Sequence, residues 1–346
     1  DVIIICVPTP LDTKKNPDLG YIKKTINQII PYIKINQILV LESTTYPGTT
    51  EELIYPLIKN CGFDIGKNFF IGYSPERVDP SNKEYNIKTI PKVVSGYTNN
   101  CLELIKTLYQ QIVDKIVPVS SVRIAEMTKM LENIQRAVNI ALVNELKMVA
   151  DKMNIDIHEV IKASKTKPFG FMPYYPGPGL GGHCIPIDPY YLSWKANKLG
   201  INTRFIELAG EVNAYMPKYV IKKIVIALKT INKSIKGSKI LILGLAYKKN
   251  TDDTRESPAL FLIDLLLKSG ALIEYSDPFI PNSSKTRKYN FELKSIVITK
   301  KTIKSFDLVL LATDHDAFDY DFIENEANLI VDTRGKFNKI DKVIKA

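Results

Sequence analysis

Asp1-Val2-Ile3-Ile4-Ile5-Cys6-Val7 opens the chain with an almost unbroken run of β-branched residues. The run lacks the apolar–polar alternation of a half-exposed strand, so it reads as a parallel strand buried on both faces. A domain rarely begins inside such a strand. The reading therefore predicts that the chain lacks its natural N-terminus and that its first sheet is truncated. Moving outward, the pattern predicts a helix over 19–35, a strand over 38–42 and a helix over 49–60. Strands follow over 69–73 and 93–96, then a helix over 99–111. Strands alternating with helices of this length imply a doubly wound parallel α/β sheet, which binds ligands beyond the carboxyl ends of its strands.

The rest of the chain repeats this plan after a helical middle. Ser120-Ser121 reads as the cap of a long helix reaching about Met153, with Ile124, Met127, Leu131, Ile134, Val138, Leu142 and Val149 as its apolar stripe. A helix of that length joins domains or forms a dimer seam. Shorter helices are expected over 158–164, 192–199 and 206–231. A second alternating unit starts at Lys239, with strands over 240–245, 271–275, 306–312 and 329–332 and a helix opened by Ser257-Pro258. The expected fold is two Rossmann-like doubly wound sheets joined by a long central helix. Its expected divisions are 1–118, 119–232 and 233–346.

Composition narrows the function class. A chain of 346 residues with 45% hydrophobic and 24% charged residues is globular in character and too long for one ordinary core. No apolar run reaches the roughly 18 residues of a membrane span, and no signal peptide opens the chain. Four cysteines without a CxxC pair fit a reducing, cytoplasmic compartment. The net charge of +10 comes from lysines scattered along the chain, which argues against a nucleic-acid surface.

The least ordinary stretch is GPGLGGHCIPIDP, residues 177–189. Glycines and prolines crowd around Cys184 and leave the thiol uncovered, whereas a structural cysteine sits among aliphatic residues. Cys6 and Cys61 fit that structural description, and Cys101 reads as a helix-start residue. Histidines 158, 183 and 315 offer no metal-ligand spacing, so no metal is expected. A thiol hydrolase with a distant base remains an alternative, although adjacent loop side chains such as His183 and Cys184 normally point apart. Lys129, Asn133 and Arg136 share one helix face, which could stabilise an oxyanion or be a solvated face. Glu76, Arg77 and Asp79 follow a strand and could bind a ligand or form a structural ion pair. Tyr247-Lys248-Lys249 and Asp253 to Ser257 follow the first strand of the second sheet, where basic groups suit a phosphate-bearing ligand. Pro8-Thr9-Pro10 and Ser43-Thr44-Thr45 are cofactor-side loops or plain strand-ending turns.

Together, CVPTP (6–10), ESTTYPGTT (42–50), YSPERVDP (73–80), AEMTKMLENIQRAVNIAL (125–142), GPGLGGHCIPIDPYYL (177–192), GLAYKKNTDDTRESPA (244–259) and VDTRG (331–335) resemble the UDP-glucose/UDP-mannuronate dehydrogenase family, in the family's order and over essentially the whole chain. Residues 165–189 look most like bacterial UDP-N-acetylglucosamine 6-dehydrogenases of surface-polysaccharide pathways. The UDP-glucose, UDP-N-acetylmannosamine and UDP-N-acetylgalactosamine enzymes are the alternatives. The resemblance implies NAD as cofactor, a UDP-sugar substrate, a homodimer or higher homo-oligomer, and two oxidations at the sugar C6. It implies that Cys184 captures the aldehyde, that Lys129 and Asn133 stabilise the oxyanion, and that Asp188, Thr44 and Glu76 serve hydrolysis. It assigns Arg77, Val78, Lys129, Asn133, Arg136, Gly181, Tyr247, Lys248 and Arg334 to the nucleotide sugar, and Thr9, Thr44 and Arg255 to the cofactor. Two departures stand out. Pro80 occupies a position where the UDP-glucose branch has a second Glu, and no GxGxxG loop precedes the first strand. A chain limited to these residues is expected to bind NAD poorly, and an inactive sugar-nucleotide-binding remnant is the alternative to the enzyme.

Overall fold

The structure is a computed structural model that describes residues 1–79, 84–182, 184–283, 285 and 288–346. The chain divides into two compact units, residues 1–136 with 187–207 and residues 137–186 with 208–346.

The first unit holds a five-stranded sheet: β1 (Val2–Ile5), β2 (Gln37–Leu41), β3 (Phe69–Tyr73), β4 (Lys92–Gly96) and β5 (Ile116–Pro118), in that spatial order. Residues of β2 alternate between two cores, as a period of two requires. Leu39 and Leu41 join Ile22, Ile26, Ile54 and Ile58 on one face, while Val40 packs with Val94, Ile105 and Tyr109 on the other. Helix α1 (Gly20–Ile29) gives way to a tight turn at Ile30–Tyr32, earlier than the expected 35, because Pro31 cannot continue the α-helical hydrogen bonding. The expected helix over 49–60 begins as a wide π turn at Thr50–Ile54 before α2 (Tyr55–Lys59). Thr98 caps α3 (Asn99–Gln110) by accepting from Cys101 N–H.

Two expectations for this sheet need correction. β1 is not buried on both faces: it is the edge strand of the described sheet, with Val2 and Ile4 exposed and only β2 beside it. β4 runs antiparallel to β3, with Gly72 opposite Gly96. Parallel neighbours need a crossover connection. The described residues of 74–91 hold no helix to supply one, so the chain returns along its own edge.

Helix α4 (Val122–Lys152) is received by Ser121, whose hydroxyl accepts the Ile124 N–H. Its buried face is lined by small and polar residues, among them Ala125, Glu126, Met130, Asn133, Ala137, Ala141 and Asn144. Five members of the predicted apolar stripe, Ile124, Met127, Leu131, Leu142 and Val149, are instead exposed on the single chain.

The second unit contains α5 (Ile157–Ser164) and most of α7 (Arg204–Thr230), which follows α6 (Asp188–Lys198) of the first unit. Its sheet comprises β6 (Lys239–Leu243), β7 (Leu272–Ser276), β8 (Leu308–Leu311), β9 (Ile330–Asp332) and β10 (Val343–Lys345). The order is β10-β9-β8-β6-β7, all parallel. The direction of winding reverses between β6 and β8, and that switch point is where open α/β sheets place their ligands. Ile240 and Ile242 face one core, Leu241 and Leu243 the other. Ser257 caps α8 (Pro258–Lys268), with Pro at its first position as the sequence predicts. Helices α9 (Lys300–Lys304) and α10 (Tyr320–Glu326) complete the unit.

Candidate active site

In the first unit, α4 and α6 bring together three predicted residues. Asn133 Nδ2 donates to Asp188 Oδ2 at 2.5 Å, and both side chains are buried. Asp188 opens α6, where the helix N-terminus favours a carboxylate. Burial outweighs that and pushes its carboxyl up to about 7, the Lys129 charge and the Asn133 bond opposing the rise. Lys129 Nζ donates to the Glu76 carbonyl oxygen at 2.5 Å. The loop after β3 is thereby tied to α4 beside the Asn133–Asp188 pair.

Glu76 accepts the Val78 N–H at 2.5 Å and lies 3.7 Å from Lys92 Nζ. Arg77 donates to the Pro91 carbonyl and pairs with Glu132 at 2.8 Å, so its ion-pair partner is on α4 and not in its own loop. Arg136 is exposed on α4 beyond Asn133. Pro80 and His183 lie outside the described residues, and so do the readings made on them.

The carboxyl ends of β1 and β2 are stitched by Ser43, whose hydroxyl accepts the Val7 N–H and donates to the Val7 carbonyl. Thr9 and Thr44 follow these two strands, Thr9 buried and Thr44 half-buried. Next to Thr44, Thr45 Oγ1 is buried with no hydrogen-bond partner among the described residues, and so is the Tyr73 hydroxyl at the end of β3.

Sequence reasoning missed two residues that hold this rim. Glu126, fully buried on α4, accepts the N–H groups of Gly48 and Thr50 and the Thr50 hydroxyl, which fixes the 42–50 loop. Lys92 Nζ meets Glu42 at 2.8 Å while Tyr109 donates to the same carboxylate. Their partners are dozens of residues away, so no local pattern announces them.

Cys6 and Cys61, read as buried, are exposed, and Cys101 is the buried one. Cys6 lies beside Glu42. Partial burial and that carboxylate push its thiol up to about 11, which makes it a poor nucleophile at neutral pH.

In the second unit, Cys184 is exposed at the end of the glycine segment. The segment is anchored at its start by Asn144, which accepts the Gly177 N–H and donates to Asn213. Gly177 and Gly181 are required by close approach. A Cβ at Gly177 would stand 2.8 Å from Arg334 Nη1, and one at Gly181 would stand 2.5 Å from Tyr247 Cβ. Gly182 N–H then donates to the Arg255 carbonyl. Three predicted residues, Tyr247, Arg255 and Arg334, therefore gather around the segment carrying Gly181 and Cys184, with Lys248 adjacent to Tyr247. The Arg255 guanidinium is held by Asp253 at 2.6 Å. That hydrogen bond raises its pKa first, and Cys184 adds a smaller electrostatic contribution, so the thiol is within electrostatic range of the cation.

Two α/β sheets with parallel strands, one ending in hydroxyl-bearing loops and the other in a loop with basic side chains, are the frame of a nucleotide-binding protein. Comparison with known proteins gives this class a family. Residues 1–113 match the NAD binding domain of the UDP-glucose/GDP-mannose dehydrogenase family, 123–215 its central domain and 241–339 its UDP binding domain. Protein CapL of Staphylococcus aureus is 37% identical over 98% of this chain and 80% of its own length. A UDP-N-acetyl-D-glucosamine 6-dehydrogenase of Pseudomonas aeruginosa is 36% identical over 92% and 74%. Among solved structures, a UDP-D-ManNAc dehydrogenase from Pyrococcus horikoshii aligns with a TM-score of 0.87 at 30% identity, covering 99% of this chain and 80% of that one.

The chain belongs to the UDP-glucose/GDP-mannose dehydrogenase family and is an NAD-dependent UDP-sugar dehydrogenase. The first rim fits such a cofactor: the orphaned Thr45 hydroxyl and the neighbouring Thr44 are hydrogen-bonding groups of the kind a ribose or carboxamide needs. Among the described residues no helix is long and apolar enough to cross a membrane.

Proposed function

We propose that the chain oxidises UDP-N-acetylglucosamine at C6 to the uronic acid in two steps, through a thiohemiacetal and then a thioester on Cys184. The observation that carries this reading is the buried Asn133–Asp188 pair, whose carboxyl sits near 7. A group so poised takes and returns a proton at neutral pH, as hydrolysis of a thioester requires. NAD, when bound, takes up the hydride of each oxidation. It would be met by Thr9, Thr44 and Arg255.

The sugar alcohol loses a hydride and a proton to become the aldehyde, and the Cys184 sulfur adds to its carbonyl carbon. Loss of a second hydride and of the thiohemiacetal's hydroxyl proton leaves the thioester, and water adds to its carbonyl carbon and displaces the thiol to give the carboxylate and a proton. The Arg255 cation lies within electrostatic range of the thiol. Lys129 and Asn133 would stabilise the oxyanion, Asp188 would activate water, and Thr44 and Glu76 would assist. Arg77, Val78, Arg136, Gly181, Tyr247, Lys248 and Arg334 would hold the nucleotide sugar.

The 165–189 segment and the relative from Pseudomonas aeruginosa support the N-acetylglucosamine epimer; the structural relative from Pyrococcus horikoshii favours N-acetylmannosamine as the second reading. The organisation into 1–118, 119–232 and 233–346, a cytoplasmic location and a role in surface-polysaccharide synthesis belong to the same proposal. So does a homodimer, supported by the exposed apolar stripe of α4. Sedimentation of Leu131→Lys tests that last point, since a variant as oligomeric as the parent would remove the stripe from the interface.

NADH release with UDP-N-acetylglucosamine, UDP-N-acetylmannosamine, UDP-N-acetylgalactosamine and UDP-glucose tests the rest. Two NADH per UDP-N-acetylglucosamine are expected. One per sugar would overturn the thioester route, and a strong preference for another epimer would overturn the substrate.

A further inference from the structure

Asp277 follows β7 and His315 follows β8, and both side chains are fully buried. The Asp277 carboxylate accepts from five directions. Oδ2 takes the N–H groups of Leu245 and Ala246 at 2.6 and 3.2 Å and meets His315 Nε2 at 3.1 Å. Oδ1 takes those of Phe279 and Ile280 at 2.8 and 3.1 Å. Burial alone would raise this carboxyl, but the His315 and backbone hydrogen bonds hold it below the ordinary value.

On the other side of the ring, His315 Nδ1 accepts the Asn250 N–H at 2.9 Å. Nδ1 is therefore the unprotonated nitrogen, and Nε2 carries the proton donated to Asp277. Phe279 and Phe318 pack against the ring, with centroids 5.1 and 5.6 Å away.

An ionised group buried among apolar side chains is costly, and packing alone would be served as well by an apolar pair. The placement of the bonds explains its presence. They end on the backbone at 245, 246 and 250, which brackets Tyr247 and Lys248 from both sides, at the β6–β8 switch point. Thr313 adds a hydrogen bond to the Ala246 carbonyl from β8. In a dinucleotide-binding sheet, an acid near this strand end would reach a ribose hydroxyl. Here the corresponding carboxylate is turned inward onto its own loop.

We propose that Asp277, through the Leu245 and Ala246 N–H groups, and His315, through the Asn250 N–H, set the 244–250 loop for the nucleotide from its two ends, so that UDP affinity depends on the acceptor His315 supplies although the residue is fully buried. This rests on the reading of Tyr247 and Lys248 as nucleotide-sugar ligands.

The test is calorimetric titration of the full chain and two variants with UDP, alongside melting temperatures. His315→Gln places a donor near the Nε2 position and removes the acceptor for Asn250. His315→Asn places an acceptor near the Nδ1 position and removes the donor to Asp277. The expected result is a UDP affinity about tenfold or more weaker in His315→Gln, and within about threefold of the parent in His315→Asn. Equal UDP affinity in the parent and both variants, whatever their melting temperatures, would overturn the positioning role. A parent chain that does not bind UDP would instead remove the nucleotide reading of this rim, and the proposal with it. Should His315→Gln fail to fold, hydrogen exchange in the parent decides: the Asn250 amide should exchange as slowly as those of β6 before UDP is added, and fast exchange there would overturn the proposal.

Discussion

The two sheets end in rims of opposite character. The rim of the first sheet is unfinished: Thr45 and Tyr73 keep buried hydroxyls without partners among the described residues, and Asp188 sits near 7. The β6–β8 switch point of the second is closed on itself, with Asp277 and His315 satisfying each other and the loop around them, although His158 Nε2 beside Gly335 is also without a partner among the described residues. Buried polar groups normally find partners, so the two orphaned hydroxyls leave hydrogen-bonding capacity on the first rim. A satisfied pair marks a scaffold that is already shaped. The difference teaches where chemistry and where recognition are to be sought. The carboxyl poised near neutrality lies on the first rim, while the second carries the exposed Cys184 thiol and the loop held by Asp277 and His315.

The strongest way to break this comparison is Cys184→Ser. If recognition and covalent capture share the second unit, the variant should keep its UDP affinity and lose uronic acid formation by roughly a thousandfold or more. Product analysis by mass spectrometry checks it, and uronic acid at the parental rate would remove the thiol from the mechanism.

Asp188→Asn comes next. Removing a general base costs about 10²–10⁴ in rate, and the rate of the parent should fall as pH drops through about 7. The stability effect has the opposite sign. A carboxyl whose pKa rises from 3.8 to about 7 on folding binds its proton more tightly in the folded chain. Its contribution to stability is therefore highest at low pH and is lost as pH rises through that window. At pH 8 the variant should melt higher than the parent while turning over far more slowly. A lower melting temperature would show the carboxylate to be structural.

Lys92→Met probes the scaffold beneath the first rim. Lys92 and Glu42 are nearly buried, so removing the cation leaves a carboxylate uncompensated and should cost about 3–5 kcal/mol in urea denaturation. The loss should be largely recovered when Glu42→Leu is added. A double variant as unstable as the single one would show that the pair contributes more than mutual compensation.

Much of this was legible in the sequence. The strand over 69–73, the Ser121 and Ser257 caps and the glycine segment 177–189 are local patterns, and each appears in the structure where its residues place it. Cys184 drew attention through its glycine-rich company and Lys129 and Asn133 through a shared helix face, whereas their roles and that of Asp188 are what the resemblance implies. What escaped were relations between distant segments. Whether β1 is central or an edge depends on which strands flank it, and the direction of β4 depends on a connection without a helix. Glu126, Lys92, Asn144 and Asp277 look like ordinary polar residues until the fold brings them to Thr50, Glu42, Gly177 and Leu245. The outward stripe of α4 misled for a related reason, since apolar periodicity reveals a face without saying what covers it.

The smallest effect sharpens the comparison on α4 itself. Arg123 and Glu51 meet at 2.5 Å, a contact as short as that between Asn133 and Asp188, yet the Arg123 side chain is 57% exposed. Water screens such a pair, and two long side chains must be ordered to form it, so Arg123→Ala should change stability by no more than about 1 kcal/mol and leave turnover unchanged. Raising the salt concentration should shrink even that difference. A loss comparable to that of Lys92→Met would mean that short distance outweighs burial on this rim, and the contrast between the two sheets could then no longer be argued from exposure.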